Sequence, residues 1–323
     1  MTVGPLLGVS FSHRYAAWLG LDPYETLRAL LTDVGVRCLR LSVYWDEIAP
    51  EPSRLTFDPV RPWLELAATD GARVTITLGL KAQRHPEFYP PRWLWPTAPP
   101  PGAALDRQPR LVTLLLLMLE RVTAFLADYD VIEAWQVENQ PFVPAVGRTV
   151  GWRISPALLA REIEVVREVD PRGRPIVVTH ASATALDGGW RDALALADIL
   201  GQDVYTRVPA PRGLPWRYWN RYAWGPLAPN LRAQAHAARR LGRGWWITEL
   251  QAEPWERGDI RQVPPTAVGS VSPERIVANL ALARRSRPQR ILLWGAEWWR
   301  FAAERQGDRR YWDLARALFR GGP

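Results

Sequence analysis

The chain has 323 residues, 47% of them hydrophobic and 23% charged, which is enough apolar material for a large core and too much for disorder. Its formal charge of +8 is almost all arginine, with Lys81 the only lysine, and the cations are interspersed with acids, as in Ala160–Arg174. A nucleic-acid binder would gather its cations on one face, so no nucleic-acid partner is expected. Cys38 is the single cysteine, which excludes an intrachain disulfide.

In chain order, short apolar runs rich in β-branched residues alternate with helical patterns. The strand candidates are Leu7–Ser10, Cys38–Val43, Arg73–Leu78, Ile132–Val137, Pro175–Thr179, Ile199–Val204, Gly244–Thr248 and Arg290–Leu293. Between them, Asp22, Ser155 and Ser272 each stand before a proline and a helical run, the pattern of an N-cap followed by proline in the first turn. The cations from Arg284 to Arg290 fall where the last of these helices should end, a position that suits positive charge. The longest apolar run, Leu111–Leu119, falls far short of the ~20 residues a membrane span needs and reads as a buried helix, so no membrane partner is expected.

Eight βα units favour an α/β fold, a (β/α)8 TIM barrel running as one domain over residues 1–323; counting alone leaves an open doubly wound sheet possible. The proline-rich stretches Pro86–Pro101 and Val208–Trp216 follow the third and sixth strands, as long loops over the barrel mouth. The apolar segment Leu6–Phe11 lacks the charged region, long apolar core and small-residue cleavage site of a signal peptide, which points to the cytoplasm for a full-length chain and to secretion if a leader has been removed. Neither a glycine-rich phosphate loop, an HExxH helix nor a cysteine cluster occurs, so no cofactor and no metal are expected.

The fourth strand and its exit read Val-Ile-Glu-Ala-Trp-Gln-Val-Glu-Asn-Gln-Pro-Phe, from Val131 to Phe142. This resembles the Trp-x-x-x-Asn-Glu-Pro signature of clan A glycoside hydrolases, closest in character to family 5-like cellulases: Trp135, Asn139 and Pro141 match, and Gln140 replaces the glutamate. The seventh strand, Gly244 to Trp255, carries Glu249 where that clan has its nucleophile, and the eighth, Arg290 to Trp299, ends in similar aromatic residues. The resemblance implies a retaining β-glycosidase with Glu249 as nucleophile, position 140 as acid/base and Asn139 on the sugar 2-hydroxyl. It also implies Trp294, or failing that Trp298, as the floor of the central subsite, Arg40 near the nucleophile and Tyr205 hydrogen-bonded to it. A β-glycoside or oligosaccharide is the implied ligand, and a monomer is expected.

Such chemistry needs two carboxyls ~5–5.5 Å apart, one to attack the anomeric carbon and one to protonate the departing oxygen. An amide at position 140 can hydrogen-bond that oxygen but has no proton to give. Three readings of Gln140 follow: a Glu→Gln substitution that traps substrate, which is preferred; a natural sugar binder or an enzyme for activated leaving groups; or an acid role passed to Glu138. Alternation would put Glu138 inside the barrel below Gln140, too deep for the glycosidic oxygen and better suited to a structural role.

Of 18 tryptophans, Trp45, Trp93, Trp95, Trp216, Trp219, Trp224 and Trp255 fall in the expected mouth loops, where indole faces could stack on sugars; each singly could equally be packing. His85 and His13 are candidate hydroxyl binders, although a lone histidine is more often structural. Glu297 is balanced between sugar binding and structure, and Glu253 and Glu256 read as solvent-facing or hydroxyl-binding. A carbohydrate-binding protein without turnover is the main rival. An aldolase- or isomerase-type barrel is opposed by the position of Lys81, just after the third strand.

Overall fold

The computed structural model describes residues 4–143, 150–210, 213, 217–223 and 225–321. Eight strands, β1 (Leu6–Ser10), β2 (Cys38–Ser42), β3 (Arg73–Leu78), β4 (Ile132–Val137), β5 (Ile176–His180), β6 (Ile199–Val204), β7 (Gly244–Gln251) and β8 (Arg290–Trp294), alternate with helices. They close in the order β1-β8-β7-β6-β5-β4-β3-β2, a parallel (β/α)8 barrel, which removes the open-sheet alternative. The expected strands recur within a residue or two, apart from β7, which runs on to Gln251 and so holds Glu249 inside the strand.

The expected caps form. Asp22, Ser155 and Ser272 accept the backbone N–H of Glu25 (3.0 Å), Leu158 (3.1 Å) and Arg275 (3.2 Å), each with proline in the first turn. The run at Leu111–Leu119 lies in the helix Pro109–Leu126, which buries Leu111, Leu115, Met118, Leu119, Val122 and Leu126 along one side. Among the described residues no helix is long and apolar enough to cross a membrane.

The chain divides into two compact units, one comprising Met1–Leu39, Ser182–Gly188 and Gln202–Pro323, the other Arg40–Ala181 and Gly189–Gly201. In the first unit β8 pairs with β1 in unbroken register, whereas against β7 it steps from Ile291↔Ile247 to Leu293↔Leu250. Thus β7 spends three residues where β8 spends two, and the extra residue falls around Thr248 and Glu249. Such a bulge re-aims a side chain, a device common beside active sites. In the second unit β3 and β4 slip once, between Val74 and Thr75, before pairing through Leu78↔Val137.

Of the two expected mouth loops, the one after β3 contains a short 3-10 helix, Arg92–Thr97, and the one after β6 begins as a two-stranded antiparallel ribbon, Arg207–Pro209 with Tyr218–Asn220. Trp216 and Trp224 lie outside the described residues.

Candidate active site

In the first unit, β7 delivers Glu249, 1% exposed, and the residue after β6 delivers Tyr205, whose hydroxyl donates to Glu249 Oε2. Tyr205 is held in place by its surroundings. The following residues, Thr206 and Arg207, are pinned in turn: the Thr206 hydroxyl donates to Asn279 Oδ1 (2.8 Å), and Gln251 accepts the Arg207 N–H (2.9 Å) and donates to the Arg207 carbonyl (2.7 Å). The Thr248 hydroxyl, next to Glu249, donates to buried Asp203 at 2.6 Å. Side chains on both flanks of the Tyr205–Glu249 pair are therefore committed to hydrogen bonds, which fixes rotamers before any ligand arrives.

Aromatic rings wall this pair. Trp294, at the end of β8, meets Tyr205 edge-on at 6.4 Å, and Trp255, exposed in the loop after β7, lies 4.6 Å from it. Trp219, in the ribbon, packs on the cluster of Tyr205, Val208 and Trp294. Two of the expected mouth tryptophans, Trp219 and Trp255, thus gather at Glu249. Trp45 is instead buried in the core, and Trp93 spends its indole N–H on the Ala49 carbonyl (2.9 Å).

Trp298, the alternative to Trp294, is corrected to a core residue: it lies in the helix Ala296–Arg305 and packs edge-on against Tyr311, 4.6 Å away. Glu297 is fully buried and accepts the Ser12 N–H at 2.5 Å, so its carboxylate holds the loop after β1. Gly295, at φ +125°, permits this turn, because a β-carbon there would run into Glu253. Glu256 is a clasp. Burial alone would raise its carboxyl, but the Tyr218 hydroxyl and the donors of Gly269 and Ser270 hold it below the ordinary carboxylate range.

In the second unit, buried Arg40 donates from Nε to Gln136 Oε1 (2.6 Å) and from Nη2 to Asn139 Oδ1 (2.5 Å). Gln136 Nε2 returns to the Glu138 carbonyl (3.0 Å) and to Asn139 (3.2 Å). Arg40, which the resemblance implied near the nucleophile, thus fixes Asn139, a role that its position on β2 does not reveal. Gln140 follows at φ +47°, its N–H donating to Thr179 Oγ1 (2.9 Å) and its carbonyl accepting from Lys81 Nζ (3.0 Å). The buried Lys81 ammonium also donates to the Val143 carbonyl (2.9 Å) and lies 3.3 Å from Glu87.

Glu138 departs from the expectation. Its φ of +60° breaks the strand alternation, and its carboxylate accepts the N–H groups of Leu80 (2.7 Å) and Lys81 (2.6 Å) beside Glu162 of the helix Pro156–Val169. It therefore serves the joint between strand end and outer helix. Gly79, at φ +122°, is needed there, since a β-carbon would collide with the Glu138 carboxyl. Burial pushes Glu138 up to about 7 in spite of those donors and Lys81, and burial together with Glu138 raises Glu162 well above the carboxylate range. Neither Glu162 oxygen has a donor among the described residues, so the proton that joins the two carboxyls must be one that the pair itself carries.

His85 is exposed in the loop after β3 and belongs to neither cluster, while His13 opens a short helix after β1. Among the described residues no group of three His, Cys, Asp or Glu side chains is placed to hold a metal ion. Sequence reasoning missed Gln136, Thr179 and Lys81. Polar side chains buried in a strand pattern were the available signal for the first two.

No family model matches the chain, and none of the curated proteins matches it. Solved structures do. A β-galactosidase from the haloarchaeon Halorubrum lacusprofundi is 14% identical at a TM-score of 0.64, covering 96% of this chain and 57% of its own. An exo-β-1,4-mannosidase from Opitutaceae bacterium strain TAV5 is 17% identical at 0.63, covering 99% and 60%. Xylanase 10B from Thermotoga maritima is 14% identical at 0.58, covering 98% and 96%. The chain spans about three fifths of the length of the galactosidase and mannosidase structures. At these identities the likeness shows the fold alone, a (β/α)8 barrel.

Proposed function

We propose that this protein is a retaining β-glycoside hydrolase scaffold in which Glu249 is the nucleophile and Gln140 occupies the acid/base position. The observation that carries the reading is the Tyr205 hydroxyl donating to Glu249 within a wall formed by Trp294, Trp255 and Trp219. A carboxylate oriented by a phenol and faced by indoles suits attack on an anomeric carbon: the tyrosine fixes the attacking oxygen and the rings bind the sugar's C–H face.

In the proposed reaction Glu249 forms the bond to the anomeric carbon as the glycosidic C–O bond breaks, and the aglycone leaves with that electron pair. A carboxyl at position 140 would protonate the leaving oxygen. Gln140 can only donate a hydrogen bond, which removes a contribution of roughly 10²–10⁴-fold and leaves substrates with good leaving groups as the ones turned over. The second half-reaction also lacks its base, so the glycosyl-Glu249 ester should accumulate. The likeness to a galactosidase, a mannosidase and a xylanase supports a carbohydrate ligand.

The test is incubation with 2-deoxy-2-fluoroglycosyl fluorides of the gluco, galacto, manno and xylo series, followed by mass spectrometry of the peptides. A glycosyl label on Glu249 is the expected result. A label on another residue, or none in any series, overturns the nucleophile assignment. The second reading, a sugar binder without turnover, is favoured by Gln140 itself. It predicts that Gln140→Glu binds glycosides yet remains inert across a broad panel.

A further inference from the structure

Past Tyr205 the chain forms the ribbon that pairs Arg207 with Asn220, Val208 with Trp219 and Pro209 with Tyr218. The inner face of this ribbon is applied to the Glu249 site, because Trp219 packs on Tyr205, Val208 and Trp294. At its end the Arg221 N–H donates to the Thr206 carbonyl (2.9 Å), which anchors Arg221 beside the residue that follows Tyr205. Its guanidinium lies 5.9 Å from the centre of the Trp219 ring and beside the phenols of Tyr205 and Tyr222.

Arg221 is half-buried, and its Nε is enclosed without a hydrogen-bond partner among the described residues. Its guanidinium has no carboxylate partner among the described residues. The Tyr222 hydroxyl is likewise enclosed and without a partner among the described residues. Of the neighbouring arginines, Arg217 pairs with Glu256 and Arg257 donates to the Ala210 carbonyl, while Arg207, whose Nε is also enclosed without a partner among the described residues, stacks its guanidinium 4.6 Å from the centre of the Tyr218 ring, away from Trp219. Asp203, which lies near Tyr222, accepts from the Thr248 hydroxyl at 2.6 Å. Partial burial of a cation without a counter-ion costs free energy and marks a group whose partner arrives from outside. A guanidinium fork suits a planar carboxylate or a tetrahedral oxoanion, and the adjoining indole face suits the ring that bears it.

We propose that Arg221, with the Tyr222 hydroxyl and the Trp219 ring, reads an anionic substituent on the sugar bound against Tyr205 and Trp294. The ligand class is then a uronide or a sulfated or phosphorylated glycoside. This inference rests on the proposed glycoside site. The excess of cations over acids, +8 for the chain, would draw such ligands in.

The test is calorimetric titration of the full chain with matched aryl β-glycosides of the gluco, galacto and manno series. Each is offered as the neutral sugar, the uronide, the 6-sulfate and the 6-phosphate, and the arms distinguish which anion is read. One anionic form should bind about 10- to 100-fold tighter than its neutral counterpart, as expected for charge-assisted hydrogen bonds. Arg221→Gln should erase that preference and leave neutral binding within about twofold, Arg221→Lys should keep part of it, and Tyr222→Phe should reduce it. Melting curves show whether each variant is folded, and the tyrosine variant carries the test if the glutamine one is not. Neutral glycosides binding as well as every anionic one, or a preference that survives Arg221→Gln, overturns the inference and leaves the glycosidase reading standing. Failure of all glycosides to bind overturns both.

Discussion

Replacing Glu162 by glutamine should make the protein more stable at pH 8 than the parent chain while changing little at pH 5. In the parent, Glu138 and Glu162 lie together out of water, and burial raises both carboxyls, Glu138 to about 7 and Glu162 well above its ordinary range. A carboxyl whose folded-state pKa is raised takes up a proton on folding. Its contribution is therefore intact below about 4.5, where the unfolded chain is also protonated, and is lost as the pH rises through about 7. At roughly 1.4 kcal/mol per pH unit, the climb of Glu138 from 4.5 to about 7 corresponds to ~3 kcal/mol forfeited by alkaline pH. An amide at position 162 removes one acid and offers its NH2 to the Glu138 carboxylate, which keeps the Leu80 and Lys81 N–H groups. The assay is denaturant unfolding at pH 5, 6, 7 and 8 for both proteins. The stability difference should grow from near zero to ~1–3 kcal/mol in favour of Glu162→Gln. Parallel pH profiles, or a variant less stable at every pH, would refute the shared-proton account.

Gln140→Glu should raise turnover of glycosides with poor leaving groups by about 10²–10⁴-fold, with a much smaller gain for activated aryl glycosides, as steady-state rates on both substrate types will show. Tyr205→Phe deprives the buried Glu249 carboxylate of a donor, and the rate of fluoroglycoside labelling should fall by about one to two orders of magnitude while the far-ultraviolet dichroism stays unchanged. Lys81→Met leaves the Gln140 and Val143 carbonyls without their shared donor, so unfolding should show a loss of about 2–4 kcal/mol. In a Gln140→Glu background the same change should lower kcat more than it alters KM. Trp294→Ala should weaken binding of neutral glycosides by about tenfold in titration, through loss of the stacking face.

The barrel was legible because its signals are local. Asp22, Ser155 and Ser272 cap their helices through hydrogen bonds that span three residues, and the apolar runs of the strands need only their own composition to be recognised. Glu249, Tyr205, Asn139 and Gln140 were legible for another reason: a motif in register with the strands marks positions at which a barrel can present chemistry. The structure brings Tyr205 to Glu249 and Arg40 to Asn139. It leaves His85 in solvent and Trp298 in the core.

The sequence by itself determined that eight βα units would form and which strand ends carry carboxyl, amide and indole groups. Only the tertiary structure decided where those groups point. Glu138 turned away from the barrel because its backbone sits at φ +60°, a conformation that breaks the two-residue alternation and is held by N–H groups from the neighbouring strand end. The extra residue in β7 around Glu249 exists only relative to β8, and the lack of a partner for Arg221 Nε only relative to the other described residues. Such facts depend on partners distant in sequence. Periodicity and capping carry no information about them, because each is set by packing between elements and not by the residues within one.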